Sequence, residues 1–433
     1  MPGKATTPYK PELIPAAPRF GAALALMLTA MASLARAAPA PYVVLKDDGA
    51  IETTKYDSVP HVRTIESKLL SLYADAGQPL PDVLSVWTTF PFNGNFQGTF
   101  GDPFGLDVKG IGLGDYYPPD GTTTFRRPPL RYALFHNSVL KLKERAATLN
   151  APEAGIARYF FLLELSHLWG PALHVPGATP GELIGFPFHW SFFMDAGGSL
   201  AGGNHWQANG DGTFTAVAAD PSTLGYSLLD LYVMGLATPD EVPPFAVLEN
   251  AVVPSTPTDT TWGGPHAARS FPWFDSGNGL TVQATRKTFT IDDVIAANGR
   301  RDPAAGASPT SWKVGIVLLT SMSDSAETVA SAKAIFDPIA AQYAPAFAAA
   351  TSGRGTLEIV TQGTAPDDAA ADAGDASVDA GDAAAPDGTA MNASSCACRT
   401  ATNREGNTTT GLRLLAGFLV AARARKRARA VRA

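Results

Sequence analysis

The stretch Ala154–Trp169, AGIARYFFLLELSHLW, decides how the rest of the chain is interpreted. Its apolar residues cover nearly every side of a helix with 3.6 residues per turn, and a helix of this kind is buried in a large protein. Glu164 and His167 interrupt the apolar surface, and a spacing of three residues places them on one helix face. The sequence therefore predicts a buried helix that carries a carboxylate beside an imidazole.

Length and composition favour a globular protein with a large core. The chain has 433 residues, of which 45% are hydrophobic, and its net charge of −7 is modest. The Lys and Arg residues before the last stretch form no basic stripe, so nucleic acid is not an expected partner. The two cysteines, Cys396 and Cys398, lie far from the apolar segments, which excludes a disulfide framework or a cysteine zinc site in the globular part.

The region from Tyr42 to Val360 alternates periodic apolar segments with Gly and Pro, which is typical of one folded domain. Strands and helices follow no regular alternation, so the expected class is α+β. Besides Ala154–Trp169, the patterns predict helices at Ile65–Tyr73, Tyr132–Leu149, Thr290–Asn298 and Ser325–Ala349, strands at Asp82–Pro91, Asp107–Gly114 and Lys313–Thr320, and a loop at Gly202–Gly212.

Residues 1–37 are expected to be a secretory signal peptide. A polar, basic lead-in ends at Arg19, and the apolar run Gly21–Leu34 is too short for an ordinary membrane span. Ala35-Arg36-Ala37 fits a cleavage site, and Ala38-Pro39-Ala40 is a second option. The sequence therefore predicts export from the cytoplasm.

The C-terminal composition changes abruptly after the globular region. Residues 366–394 are mainly Ala, Asp and Gly, so they lack the apolar surface needed to offset the entropy of ordering and are expected to form a disordered acidic spacer. Residues 395–433 then contain Cys396 and Cys398, the short apolar run Gly411–Ala422, and a cluster of Arg and Lys.

This order of spacer, cysteine motif, apolar segment and basic cluster resembles the MYXO-CTERM type of bacterial C-terminal sorting signal. The resemblance implies that Cys396 and Cys398 mark the attachment or processing region and that the apolar segment holds the precursor in the membrane. Anchoring at the cell surface is the expected outcome. The apolar run departs from the family pattern because it is short and contains Arg413. The alternative is a basic tail that binds anionic surfaces.

The buried helix contains part of a zinc-binding pattern. In the H-E-x-x-H motif of zincin metalloproteases, two His ligands lie one turn apart and the Glu acts as general base for the zinc-bound water. Here Glu164 and His167 are in register with that motif, and Leu163 occupies the position of the first His. The alternative interpretation is a core helix that tolerates one polar pair.

Further segments resemble an uncharacterised family of secreted, zincin-like bacterial proteins. They are Asp107–Gly114 (DVKGIGLG), Leu163–Trp169 (LELSHLW), His189–Gly198 (HWSFFMDAGG), Gly210–Phe214 (GDGTF), Tyr226–Phe245 (YSLLDLYVMGLATPDEVPPF), Phe289–Asn298 (FTIDDVIAAN) and Gly353–Leu357 (GRGTL). The resemblance spans nearly the whole core and implies a single large zincin-like domain. It assigns Glu164 as the base, His167 as a ligand, and position 163 as the place of a ligand that Leu cannot supply.

Other residues are candidates to replace the missing ligand. His189 is preferred, His174 follows His167 after the Gly170-Pro171 turn, and Asp195 is a candidate oxygen ligand or a partner that orients a histidine. His205 is a weaker candidate. The alternatives are that His189 packs in the core and that Asp195 forms a turn.

Two glycine-rich motifs favour structural over functional interpretations. Gly110-Ile-Gly112-Leu-Gly114 has the wrong spacing for a dinucleotide fingerprint. Gly210-Asp211-Gly212 lacks the other acidic positions of a calcium loop, so a turn is expected. The chain contains no G-x-S-x-G motif, which leaves little support for a serine hydrolase.

The expected function follows from the missing ligand. A catalytic zinc normally needs three protein ligands and a water, so weak or lost zinc binding is expected. The chain is then a surface-anchored protein with a degenerate metalloprotease-like domain and a non-catalytic binding or envelope role, whose partner is an unidentified protein or peptide at the cell surface. The alternative is an active zinc metallopeptidase in which His174 or His189 replaces the first His.

Overall fold

The computed structural model describes residues 40–55, 59–92, 99–103, 107–113, 129–148, 151–178, 183–186, 189–252, 280–361 and 396–398. The predicted signal peptide and acidic spacer lie outside the described residues, as does the C-terminal segment apart from Cys396–Cys398. No helix within the described ranges is both long enough and apolar enough to cross a membrane.

The described elements form two sheets and eight α-helices. The strands are β1 Val43–Lys46, β2 Val83–Thr88, β3 Thr99–Pro103, β4 Tyr132–Ser138, β5 Ile184–Phe186, β6 His189–Asp195, β7 Gly202–Ala208, β8 Thr213–Val217, β9 Phe245–Val252, β10 Thr281–Phe289, β11 Ser311–Thr320, β12 Thr356–Ile359 and β13 Cys396–Cys398. The helices are α1 Ala50–Thr53, α2 Val59–Asp75, α3 Leu142–Thr148, α4 Glu153–Ser166, α5 Leu228–Met234, α6 Ile291–Asn298, α7 Ala326–Ala340 and α8 Tyr343–Ala350.

The first sheet is mixed. Its strand order is β1-β11-β2-β4-β3-β13, and β12 also pairs with β11. Strands β1, β2 and β12 run parallel to β11, and β4 runs parallel to β2. Strand β3 runs antiparallel to β4, and β13 runs antiparallel to β3.

Helices cover both faces of this sheet. Because side chains alternate along a strand, Leu84 and Val86 of β2 point to one face, where they pack in a cluster with residues of α2 such as Leu69. Trp87 points to the other face and lies 5.9 Å from Phe336 of α7, between ring centroids. Because both faces are covered, every residue of β2 and of β4 is buried, including polar residues such as Ser85 and His136.

The second sheet closes into a barrel of five strands. Strand β6 pairs with β7 in parallel, and antiparallel pairs then link β7 to β8, β8 to β10, β10 to β9, and β9 back to β6. The barrel core contains Phe192, Phe193, Trp206, Phe214, Ala216, Leu248 and Val282. Closure leaves no open edge in this ring of strands.

Several sequence predictions are confirmed. The α+β class is confirmed, since helices and mixed sheets occur together. Helix α2, strand β2 and strand β11 lie where the patterns placed them. Helix α6 lies within the predicted range Thr290–Asn298, and its capping box pairs the Thr290 side chain with the backbone of Asp293 and the Asp293 side chain with the backbone of Thr290.

Other element predictions were wrong. The predicted helix Tyr132–Leu149 is strand β4 followed by a short 3-10 turn and helix α3, because all seven residues of β4 are buried in the sheet. The predicted loop Gly202–Gly212 contains strand β7, with Trp206 inside the barrel and His205 outside. The predicted strand at Asp107–Gly114 is reduced, over residues 107–113, to one bridge from Lys109 to Asp302. The predicted helix Ser325–Ala349 is divided into α7 and α8.

Candidate functional site

Helix α4 carries the candidate residues Glu164 and His167. It begins at Glu153, whose negative charge in the first turn is favourable to the helix dipole, and ends at Ser166, so it is shorter than the predicted Ala154–Trp169. His167 is the C-cap residue and keeps right-handed helical dihedral angles. The imidazole is therefore presented by the last turn of the helix, at the point where the chain leaves it.

The burial of α4 is as predicted, and specific contacts fix its orientation. The ring of Phe161 stacks on the ring of Tyr343 from α8, with centroids 3.7 Å apart. On another side, the Tyr226 hydroxyl donates a hydrogen bond of 2.7 Å to the Leu162 carbonyl oxygen. These contacts hold the helix against rotation about its axis, which determines where Glu164 and His167 point.

Glu164 and His167 lie together in the interior. The Glu164 Oε2 atom is 3.8 Å from the His167 Nε2 atom, and the two side chains are 0% and 1% exposed. Leu163 is also fully buried. The place where the zincin motif has its first His is thus occupied by an apolar side chain within the packed core.

His189 is the residue that the fold brings to this pair. It is the first residue of β6, is fully buried, and its ring centroid lies 4.5 Å from that of His167, at an interplanar angle of 81°. The preferred replacement ligand therefore lies beside His167, although 22 positions separate the two in sequence. Two imidazoles and one carboxylate share a buried region.

A buried carboxylate fixes the start of β6. Asp230 of α5 accepts hydrogen bonds from Trp190 Nε1 at 2.6 Å, from the Ser199 hydroxyl, and from the backbone amide and hydroxyl of Ser227. Burial raises the pKa of the Asp230 carboxyl, and these hydrogen bonds oppose the rise. Asp230 was not among the residues predicted from the sequence, although the spacing Ser227-x-x-Asp230 is the signal of a capping box.

Asp195 belongs to a different cluster, at the opposite end of β6 from His189. Its Oδ2 atom is 2.7 Å from Arg286, and its Oδ1 atom is 3.7 Å from the His205 Nδ1 atom and accepts a hydrogen bond from the Gly197 amide. At about 3.3 Å per residue, six residues of strand separate Asp195 from His189 by roughly 20 Å. Asp195 thus forms a turn and an ion pair, and we exclude it from the candidate ligand set.

His174 is also separate from the buried pair. Its side chain is exposed, whereas His167 and His189 are buried. The Asn298 side chain of α6 binds both the backbone amide and the backbone carbonyl of His174, at 3.0 and 2.7 Å. These two bonds hold the His174 backbone on α6, and the histidine that the fold brings to His167 is His189.

A third buried histidine, His136, was not among the residues predicted from the sequence. His136 of β4 is 0% exposed, stacks on Trp87, and its Nε2 atom lies 3.0 Å from the Ser85 hydroxyl. That hydroxyl also contacts the Tyr343 hydroxyl, which accepts a hydrogen bond from Trp87 Nε1. Burial and the nearby Arg145 lower the pKa of His136 to about 3, so the ring is neutral at physiological pH.

The donors of the candidate site do not fit a catalytic zinc. Within the described ranges, no group of three or more His, Cys, Asp or Glu side chains is arranged to hold a metal ion. Using Glu164 as the third ligand beside His167 and His189 would also consume the base that a zincin needs. A cavity of about 360 Å³ opens beside the barrel, and its lining includes His205 and Asp220 but neither Glu164 nor His167.

The glycine motifs have structural roles. Gly112 has a φ of 76°, and a Cβ atom there would overlap the backbone carbonyl of Ala172, so the chain needs glycine for this close approach. Asp211 forms the turn between β7 and β8 and accepts a hydrogen bond of 2.9 Å from the Thr213 amide. The interpretation of this motif as a turn is confirmed.

No family model, curated protein or solved structure matches the chain.

Proposed function

We propose that this protein is exported, is anchored at the cell surface by its C-terminal segment, and carries a zincin-like domain that no longer hydrolyses peptides. The domain serves as a binding or envelope scaffold for a protein or peptide partner at the surface. The observation that carries the proposal is the fully buried Leu163 beside Glu164 and His167. A zincin site needs a histidine at that position.

Ligand number supports the loss of catalysis. Loss of a residue that merely orients a ligand lowers metal affinity or activity roughly 10–100-fold, so loss of a ligand itself is expected to cost more. His167 and His189 supply two imidazoles, which is one ligand fewer than catalytic zinc sites use. Peptide hydrolysis that depends on a zinc-bound water is therefore expected to be negligible.

The burial of the site supports the same conclusion. Glu164 and His189 are 0% exposed and His167 is 1% exposed. A general base must reach the water that it activates, and that water must reach a substrate carbonyl. A carboxylate enclosed by the core in this way fits a structural role within the scaffold.

The position of His189 favours one form of the alternative function. If the protein were an active metallopeptidase, His189 would be the substitute ligand, because its ring lies 4.5 Å from that of His167 whereas His174 is exposed. The role of Glu164 would then be to take a proton from the attacking water. The two functions differ in the zinc content of the wild-type protein.

The deciding experiment is zinc analysis of the purified chain by mass spectrometry, after chelator treatment and re-exposure to equimolar zinc. A His167→Ala variant is the matched control. We expect far less than one zinc per chain in both proteins. One zinc per wild-type chain that is lost in His167→Ala would instead establish the metallopeptidase alternative.

A further inference from the structure

The cysteine motif of the C-terminal segment forms a strand on the edge of the mixed sheet. Cys396 pairs with Gly101, Ala397 with Phe100, and Cys398 with Thr99, in antiparallel register. The other side of β3 pairs with β4. Strand β13 therefore extends the sheet by one strand at the edge farthest from β1.

Strand pairing of this kind requires little sequence complementarity. An edge strand presents a row of backbone N–H and C=O groups, which template the addition of another extended segment. In such strand addition the main chain supplies the affinity, and the side chains supply the selectivity. The β3 edge is suited to accept a short extended segment, and β13 is the segment that occupies it.

The connection along the chain is long enough for this pairing. Five strand spacings of about 4.8 Å separate β12 from β13 across the sheet, or about 24 Å. The intervening residues 362–395 span about 110 Å when fully extended, at about 3.3 Å per residue. A tether that exceeds the required distance gives the second segment an effective concentration near the millimolar range.

We infer that the β3 edge is a strand-acceptor site whose ligand is the Cys396–Cys398 segment of the same chain. Docking holds the cysteine motif on the globular domain, and the motif leaves β3 before it takes part in surface attachment. The docking stands on the strand register, whereas its role in attachment rests on the proposed surface anchoring.

Disulfide trapping in the full chain tests the docking. The wild-type protein has two cysteines, so two double variants each leave one native cysteine to pair with a new one. In Thr99→Cys/Cys396→Ala the remaining Cys398 lies opposite the new cysteine, and in Thr99→Cys/Cys398→Ala the remaining Cys396 is offset by two residues. We expect an intramolecular disulfide to form at least tenfold faster in the first variant.

A second pair of double variants, with the new cysteine at Gly101 instead of Thr99, controls for a folding defect caused by substitution at Thr99. With Gly101→Cys the preference should reverse, so that Cys396 reacts at least tenfold faster than Cys398. Equal rates within both pairs would overturn the inference. A disulfide that links two chains, with a rate that rises with protein concentration, would also overturn it, because the occupant would then be a second copy.

Surface labelling of cells that express the wild-type chain separates this inference from the proposed anchoring. Register-specific disulfides without surface attachment would support the docking and contradict the anchoring. Surface attachment without any register preference would contradict the docking alone. The same labelling of cells that express Thr99→Cys/Cys396→Ala tests the order of events. If this variant is attached at the surface and still contains the disulfide to Cys398, the claim that the motif leaves β3 before attachment is overturned.

Discussion

The imidazole rings of His167 and His189 lie 4.5 Å apart, between centroids, and nearly perpendicular to each other. One ring comes from the C-cap of α4 and the other from the first residue of β6. Asp230 fixes the second element through Trp190, the neighbour of His189. The fold thus brings two buried imidazoles together beside Glu164, while the neighbouring Leu163 is apolar and fully buried.

The buried His136 predicts a pH dependence of stability. Its pKa is about 3 in the folded protein and 6.5 when unperturbed, so the unfolded chain takes up a proton that the folded protein excludes. The contribution of His136 is therefore complete above pH 6.5 and is lost as the pH falls towards 3. At 1.36 kcal/mol per pH unit, about 2 kcal/mol of unfolding free energy should be lost between about pH 7.5 and pH 5.

Urea unfolding of the wild type and of His136→Gln at both pH values measures this contribution. The variant should lose about 2 kcal/mol less than the wild type between the two conditions. The exposed His205→Gln is the control and should behave like the wild type. An identical pH dependence in His136→Gln and the wild type would show that His136 is not the responsible group.

Alanine substitutions at Gly112 and Gly77 distinguish the stability cost of a close backbone contact from the cost of a positive φ alone. Both have positive φ, but a Cβ atom would meet the Ala172 backbone at Gly112 and nothing within 4 Å at Gly77. We expect Gly77→Ala to reduce the unfolding free energy by about 1 kcal/mol and Gly112→Ala by about 3 kcal/mol or more. If urea unfolding shows equal losses of unfolding free energy in the two variants, the close approach of Gly112 to Ala172 adds nothing to the cost of the substitution.

Asp195 and His189 provide a test of which end of β6 belongs to the candidate site. In a Leu163→His background, His189→Asn should weaken zinc binding at least tenfold, since it removes a ligand. Asp195→Asn should leave zinc affinity within twofold and reduce the unfolding free energy by about 1 kcal/mol, because it weakens the pair with Arg286. Weaker zinc binding in Asp195→Asn would return Asp195 to the ligand set.

The sequence was sufficient for elements whose local pattern is unambiguous. The apolar surface of α4 predicted its burial, and the pattern over Thr290–Asn298 predicted α6. Strand β4 was mistaken for a helix because YALFHNS is buried on both sides and has no alternation of apolar and polar residues. In β7, the alternation of buried Trp206 and exposed His205 was present but was obscured by the neighbouring glycines.

The features that the sequence did not predict depend on contacts between residues far apart in the chain. The barrel closes through β6 and β9, and no local pattern encodes which distant strands meet. The choice of His189 among the candidate ligands followed from the resemblance of its segment to a family, whereas its distance from His167 depends on how β6 is placed against α4. The interior position of Asp195 also depends on a distant residue, Arg286.

The central claim is that the site lacks one ligand, and zinc affinity after Leu163→His tests it most directly. Competition with a chromogenic chelator would compare the wild type, Leu163→His and the size-matched Leu163→Gln, with circular dichroism to confirm folding. We predict that Leu163→His lowers the zinc Kd at least about 100-fold relative to both other proteins. A Kd that is unchanged by Leu163→His, together with one zinc per wild-type chain, would contradict the account.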